Sequence, residues 1–206
     1  GNMSYLGEGI YATQASIDKE KEYSIMIDAP DFKTVTASSI VPIQPQIISL
    51  DTISIDDEFL YCELIFQNNL KVINYYLLEI DSKNPVIDAD SVISNQVEII
   101  NSDIIAENGL LGDKLERVLF SSKVLQDTVY AFGFTIDKKT LFISVKIRTN
   151  TLYIHFKKIS EEYYKYTKSY YTSKAKLDEI YSNIENGYGI FAGYNLTTDS
   201  IIINNP

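Results

Sequence analysis

What most constrains this chain is a succession of short segments in which β-branched, aromatic and aliphatic residues alternate with polar ones. They read "IISLDTISI", "LYCELIFQN", "INYYLLEID", "VLFSS", "TVYAFGFTID", "LFISVKIRT" and "LYIHFKKI". Segments of about five to nine residues have the length of strands, and period-two alternation marks a sheet with one buried face. A mainly β, antiparallel fold follows. Composition agrees, because 16 Tyr and 9 Phe without any Trp suit half-buried pleated surfaces. At 206 residues folding buries roughly 70% of the unfolded surface, so no disulfide staple is needed.

Two parts are expected. In "EYSIMIDA" Tyr23, Ile25 and Ile27 share one side, and "KTVTASSIV" follows after the turn-like "PDF". Then "VPIQPQ", Val41 to Gln46, carries two prolines that cannot donate to a ladder, which makes it an extended linker. Residues 1–46 therefore read as the C-terminal part of a truncated immunoglobulin-like β-sandwich plus this linker, since about forty residues are too few to stand alone. Residues 47–206 read as a β-rich domain, sandwich or barrel-like. Within it, "TIDKKTLF" predicts a hairpin through Asp137, Lys138 and Lys139, and "IRTNTLYI" a second turn through Asn150. Together they make Asp127 to Lys158 a three-stranded meander. Between Asp81 and Glu116 the pattern weakens, predicting a long excursion with little regular structure of its own.

One helix is predicted near 160–178, in "SEEYYKYTKSYYTSKAKL". Ser160 is a good N-cap, and Glu161 and Glu162 sit where the helix dipole favours negative charge. Tyr163, Tyr166 and Tyr170 fall on one face. That face is either a ligand platform or a packing surface, and packing is favoured because tyrosine can bury its ring and keep its hydroxyl wet.

After the helix comes "SNIENGYGIFAGYN", Ser182 to Asn195. "GYGIFA" formally matches the dinucleotide fingerprint G-x-G-x-x-G/A, but that site needs a preceding strand and a following helix within a βαβ unit. Here a helix precedes, and too few residues follow. The stretch instead predicts a strand entered through an Asn186-Gly187 turn. Gly187, Gly189, Phe191 and Gly193 would share one face and Tyr188, Ile190, Ala192 and Tyr194 the other. Three glycines on one face imply close approach of another element, with the tyrosine helix as the candidate and a ligand as the alternative.

Catalytic chemistry finds little support. Cys62, the single cysteine, excludes an intrachain disulfide and a multi-cysteine zinc site. It shares a strand face with Leu60, Leu64 and Phe66, so it reads as a core residue. His155, the single histidine, alternates with Ile154 and Phe156 and falls beside Tyr153 and Lys157 on the polar face. No histidine-centred triad or metal cluster can be built around it. Asp51, Asp56, Asp57 and Glu58, and separately Asp88 and Asp90, read as solvated turn residues. Calcium binding or a glycosidase pair are the alternatives, though EF-hand spacing is missing.

A net charge of −10 opposes nucleic-acid binding, and no apolar run reaches the roughly 18 residues of a spanning helix. The start, "GNMSYLGEG", shows no signal-peptide pattern, and its leading glycine reads as a cloning remnant in front of which a native leader would lie. The expectation is a non-enzyme with no catalytic residues, metal or cofactor, and with its ligand-binding residues unassigned.

The C-terminal run "ISEEYYKYTKSYY … YSNIENGYGIFAGYN" resembles the end of a family of predicted Bacteroidota lipoproteins known as domain of unknown function 4249. That family pairs a tyrosine-containing helix with "N-I-x-N-G-x-G-x-F", matched here by Asn183, Ile184, Asn186, Gly187, Gly189 and Phe191. Upstream, Asn74, Tyr75 and Tyr76 look like its "N-Y-Y" strand, and "EYSIMIDAPDFKTVTASSIVPIQPQI" looks like the last strands of its N-terminal sandwich and the linker. One departure is Asn68 in "FQNN", where members often carry an aspartate, which puts a charge-dependent role there in doubt. The resemblance implies a cell-envelope protein anchored by lipid to the outer membrane and working beside a TonB-dependent transporter. It implies a binding or accessory role; the weighed alternatives are a carboxylate-dependent carbohydrate- or peptide-active enzyme and a structural surface or adhesin component.

Overall fold

A computed structural model of the chain describes residues 2–85, 92–102, 117–141, 149–172 and 180–204. Its core lies between two antiparallel sheets. One contains β5 (Gln46–Ile55), β6 (Phe59–Gln67), β9 (Ile99–Ser102) and β11 (Val129–Asp137), ordered β5-β6-β11-β9. The other contains β7 (Tyr75–Pro85), β8 (Val92–Gln96), β10 (Arg117–Ser121), β12 (Thr149–Ile159) and β13 (Tyr194–Asn204), ordered β10-β7-β12-β13 with β8 also pairing β7. The sheets stay open and face one another, so the architecture is a sandwich and not a closed barrel.

Alternation decides what is buried. β6 turns Leu60, Cys62, Leu64 and Phe66 inward, β11 adds Phe132, Phe134 and Ile136, and the facing sheet supplies Tyr76, Leu78, Ile80, Leu152, Ile154 and Phe156. Phe66 lies at the centre of an aromatic cluster, its ring centroid 4.8 Å from Phe156 and 5.2 Å from Tyr76. Cys62 is buried as the sequence implies, and desolvation pushes its thiol up to about 12. Because the thiolate is the reactive form, Cys62 should resist a disulfide-exchange thiol reagent at pH 8 and react only when denaturant opens the fold. Prompt native labelling would contradict this packing.

Three topological expectations fail. The three-stranded meander over Asp127 to Lys158 does not form, because β12 pairs with β7 and β13 and so lies in the sheet opposite β11; α1 (Lys138–Leu141) follows β11 directly, and residues 142–148, the second half of the expected hairpin, lie outside the described residues. Asn150 makes no turn either. It is buried within β12, where its side-chain amide donates to the Leu141 carbonyl at 2.7 Å. The expected excursion after Asp81 contains regular pairing, because β7 runs on to Pro85 and β8 and β9 follow. Cross-strand pairing there outweighs the polar composition that obscured it.

The N-terminal residues form two hairpins, β1 (Ser4–Gly7) with β2 (Ile10–Ala12), and β3 (Glu22–Ile27) with β4 (Val35–Ile40). β4 then leads into the proline segment, which lies along β13. There Asn195 Nδ2 donates to Pro42 O at 2.5 Å, Gln44 Nε2 to Leu196 O at 3.1 Å and Thr197 Oγ1 to Pro45 O at 2.5 Å.

Candidate functional site

The helix starts as predicted: α2 (Glu161–Thr172) is capped by Ser160, whose hydroxyl accepts the Tyr163 N–H at 3.3 Å. Residues 173–178 of the predicted range lie outside the described residues. Its packing face differs from the expected stripe. Tyr163 and Tyr164 rest on Leu77, Leu119 and Ile159, with Tyr164 stacked on Tyr75 at 4.4 Å, and the buried helical residue is Thr167. Tyr166 stacks on Tyr170 at 6.2 Å, and Tyr170 is exposed. The helix covers one end of a sheet whose β7 side chains set the contact, and Tyr75 selects Tyr164.

The glycine segment is not a strand, since β13 begins only at Tyr194. It forms a clasp on β4. Asn183 Nδ2 donates to Ser38 O at 2.9 Å and to Phe191 O at 2.8 Å, while Asn183 Oδ1 accepts the Phe191 N–H at 2.9 Å. Thr36 and Glu185 exchange backbone hydrogen bonds, and Asn186 Nδ2 reaches Thr34 O at 3.0 Å. The Asn186 turn is real, with φ of 58°, and Gly189 sits at 112°. The approaching element is β4 and the linker rather than the tyrosine helix. A Cβ on Gly193 would lie 2.9 Å from Ile40 O and from Val41 Cα. Asn183 and Asn186, two of the residues that carry the family resemblance, thus make their contacts within the fold.

His155 is less isolated than the sequence suggests. On the outer sheet face its Nε2 lies 3.1 Å from Asp81 Oδ2 and its Nδ1 3.0 Å from Thr198 Oγ1. Beside this row, Glu79 pairs with Lys157 and, at 3.3 Å, with Arg117. Cross-strand pairs of this kind stabilise sheets. The Asp-His-Thr order is reminiscent of nucleophile activation, but β12 and β13 pair continuously from Thr149 to Ile159, so their N–H groups are not gathered as an oxyanion hole.

Asp56 accepts the N–H groups of Phe59 at 2.6 Å and Glu58 at 2.8 Å, and these bonds hold its carboxyl below the ordinary range. It is a turn residue at the β5–β6 connection. Asp88 and Asp90 lie outside the described residues. Among the described residues no group of three or more His, Cys, Asp or Glu gathers as a metal site, and no helix is long and apolar enough to cross a membrane.

A cavity of about 460 Å³ lies at one end of the sandwich. Its walls are the linker (Ile43–Gln46), the segment after β6 (Gln67–Lys71), Thr128, Tyr76 and Lys158. Lys158 occupies an inward-facing position of β12, opposite Tyr76, and is only 8% exposed. Burial lowers the pKa of its ammonium, partly offset by the charge of Glu20. Asn68, 4% exposed, has its Oδ1 saturated by Tyr76 Oη at 3.0 Å and Asn74 Nδ2 at 3.1 Å, while its own Nδ2 has no partner. Asn74 Nδ2 also reaches the carbonyls of Asn69 and Val72 and so shapes the loop. Sequence reading missed this site, although the parity of Lys158 with Ile154 and Phe156 was its signal.

The open antiparallel sandwich, with the linker forming one wall of the cavity, defines a β-sandwich protein. The chain belongs to the family described as domain of unknown function (DUF4249), whose model matches residues 2–200. No match was found among curated proteins or solved structures.

Proposed function

We propose that this chain is a non-catalytic binding component of the cell envelope, tethered by lipid to the outer membrane and serving a TonB-dependent transporter. The observation that carries the binding part is the cavity at Lys158. Among the described residues Lys158, 8% exposed, forms no salt bridge, and a charge on so largely desolvated a side chain is costly to retain, which is reasonable where a ligand offsets the cost. A concave site with a few convergent polar groups is the ordinary form of a small-molecule site. The envelope and transporter parts rest on the family resemblance.

A mild-detergent pulldown of the full-length tagged precursor from its native host, followed by mass spectrometry, tests the assignment. Stoichiometric recovery of a TonB-dependent transporter is expected. Recovery of the protein alone would overturn the accessory role.

A further inference from the structure

We propose that the Lys158 cavity binds a small monocarboxylate with an apolar body, the ammonium of Lys158 and the free amide N–H of Asn68 facing the carboxylate. This inference rests on the binding role and gives it a ligand class. Asn68 is a preset donor, because two hydrogen-bond donors already occupy its Oδ1 and fix which end of the amide is left over. Lys158 is 8% exposed and lines the cavity, and among the described residues it forms no salt bridge.

The two groups together present positive charge and a hydrogen-bond donor, the pattern an anion requires. With the charge of Glu20 already acting on Lys158, the site can offset one added negative charge better than two, so a carboxylate fits it better than a phosphate dianion. Ile43, Pro45 and Leu70 add apolar lining, which suits an aliphatic or aromatic body. The roof is the linker itself, held along β13 through Pro42, Gln44 and Pro45. Ligand and linker thus share a wall.

The test uses the 206-residue chain with isotope-labelled lysine, following the Lys158 side-chain resonances by NMR during titration with phenylacetate, phenylacetamide and inorganic phosphate. Expected are saturation by phenylacetate with a Kd on the order of millimolar, at least tenfold weaker binding of the neutral amide, and weakening with added salt. By calorimetry, Lys158→Met should lose phenylacetate affinity at least tenfold, with its melting curve confirming the fold. Equal binding of acid and amide, preference for phosphate, unchanged affinity in Lys158→Met, or no saturation at all would each overturn the proposal. A transporter recovered by pulldown without carboxylate binding would sink this inference and leave the accessory role standing. Carboxylate binding without a transporter would do the reverse.

Discussion

Gly193→Ala should destabilise the chain by about 1–3 kcal/mol, the range in which an added methyl group forces a close-packed site apart. The added Cβ would come to 2.9 Å from Ile40 O and 2.9 Å from Val41 Cα. Both are backbone atoms, so no rotamer change relieves the clash, and β4 or the start of the linker must move. Gly193 is also fixed from its other side, because its carbonyl accepts the Ser160 N–H at 2.9 Å. Gly187 is the control: its added Cβ would meet Ile184 Cγ2 at 2.8 Å and Val35 Cγ1 at 3.5 Å, which are side-chain atoms able to yield. Gly187→Ala should therefore cost less than Gly193→Ala in denaturant titrations. Limited proteolysis supplies a second readout, since loosening β4 should speed cleavage within 41–46. A Gly193→Ala variant within about 0.5 kcal/mol of the parent would show that the contact between linker and clasp is soft.

The clasp also shows what was legible in the sequence. Period-two alternation revealed the sandwich because each inward side chain, Leu60 to Phe66 on β6 for example, is selected by a core that exists whatever the loops do. The cap at Ser160 and the positive-φ turn at Asn186 were equally readable, each being a property of a few adjacent residues. Pairing was less so. β11 and β12 read as outer members of one meander yet lie in different sheets, a choice set by the long-range pairing of β12 with β7 and β13, which hydrophobic pattern does not encode. The glycines announced a close approach without naming the approaching element, because β4 lies about 150 residues earlier in the chain, with hydrogen bonds such as Asn186 to Thr34 spanning 152 positions. His155 was placed correctly on the polar face, but its partners Asp81 and Thr198 come from strands whose register only the fold sets. The cavity was hidden for the same reason: Lys158, Asn68 and the linker are brought together by pairing, and only the inward parity of Lys158 hinted at it.

Lys158→Met should raise stability by about 1 kcal/mol at neutral pH, as expected when a buried charge without a salt bridge gives way to an apolar side chain of similar length. For a chain of this size that corresponds to a melting point higher by roughly 2–4 °C. The pH dependence separates this cause from better packing. Burial holds the folded-state pKa of Lys158 below its ordinary value of 10.5, so between the two values the unfolded chain binds more protons than the folded one. Stability of the parent must then rise with pH across that window, because the folded state is the first to shed its buried charge. Methionine has no proton to lose. The stability difference between variant and parent should therefore be largest at neutral pH and shrink as alkaline pH neutralises Lys158. Denaturant midpoints measured in pairs from pH 7 to pH 10.5 read this directly, with other titrating groups cancelling between the two proteins. A gap that stays constant would assign the gain to packing, and a parent more stable than the variant at neutral pH would show that the ammonium is already satisfied within the fold. A saturating monocarboxylate should reverse the order, stabilising each protein by RT ln(1 + [L]/Kd) and therefore the parent by more than the weaker-binding variant. The same side chain would then weaken the empty protein and strengthen the loaded one, which is the thermodynamic mark of a residue kept for its ligand.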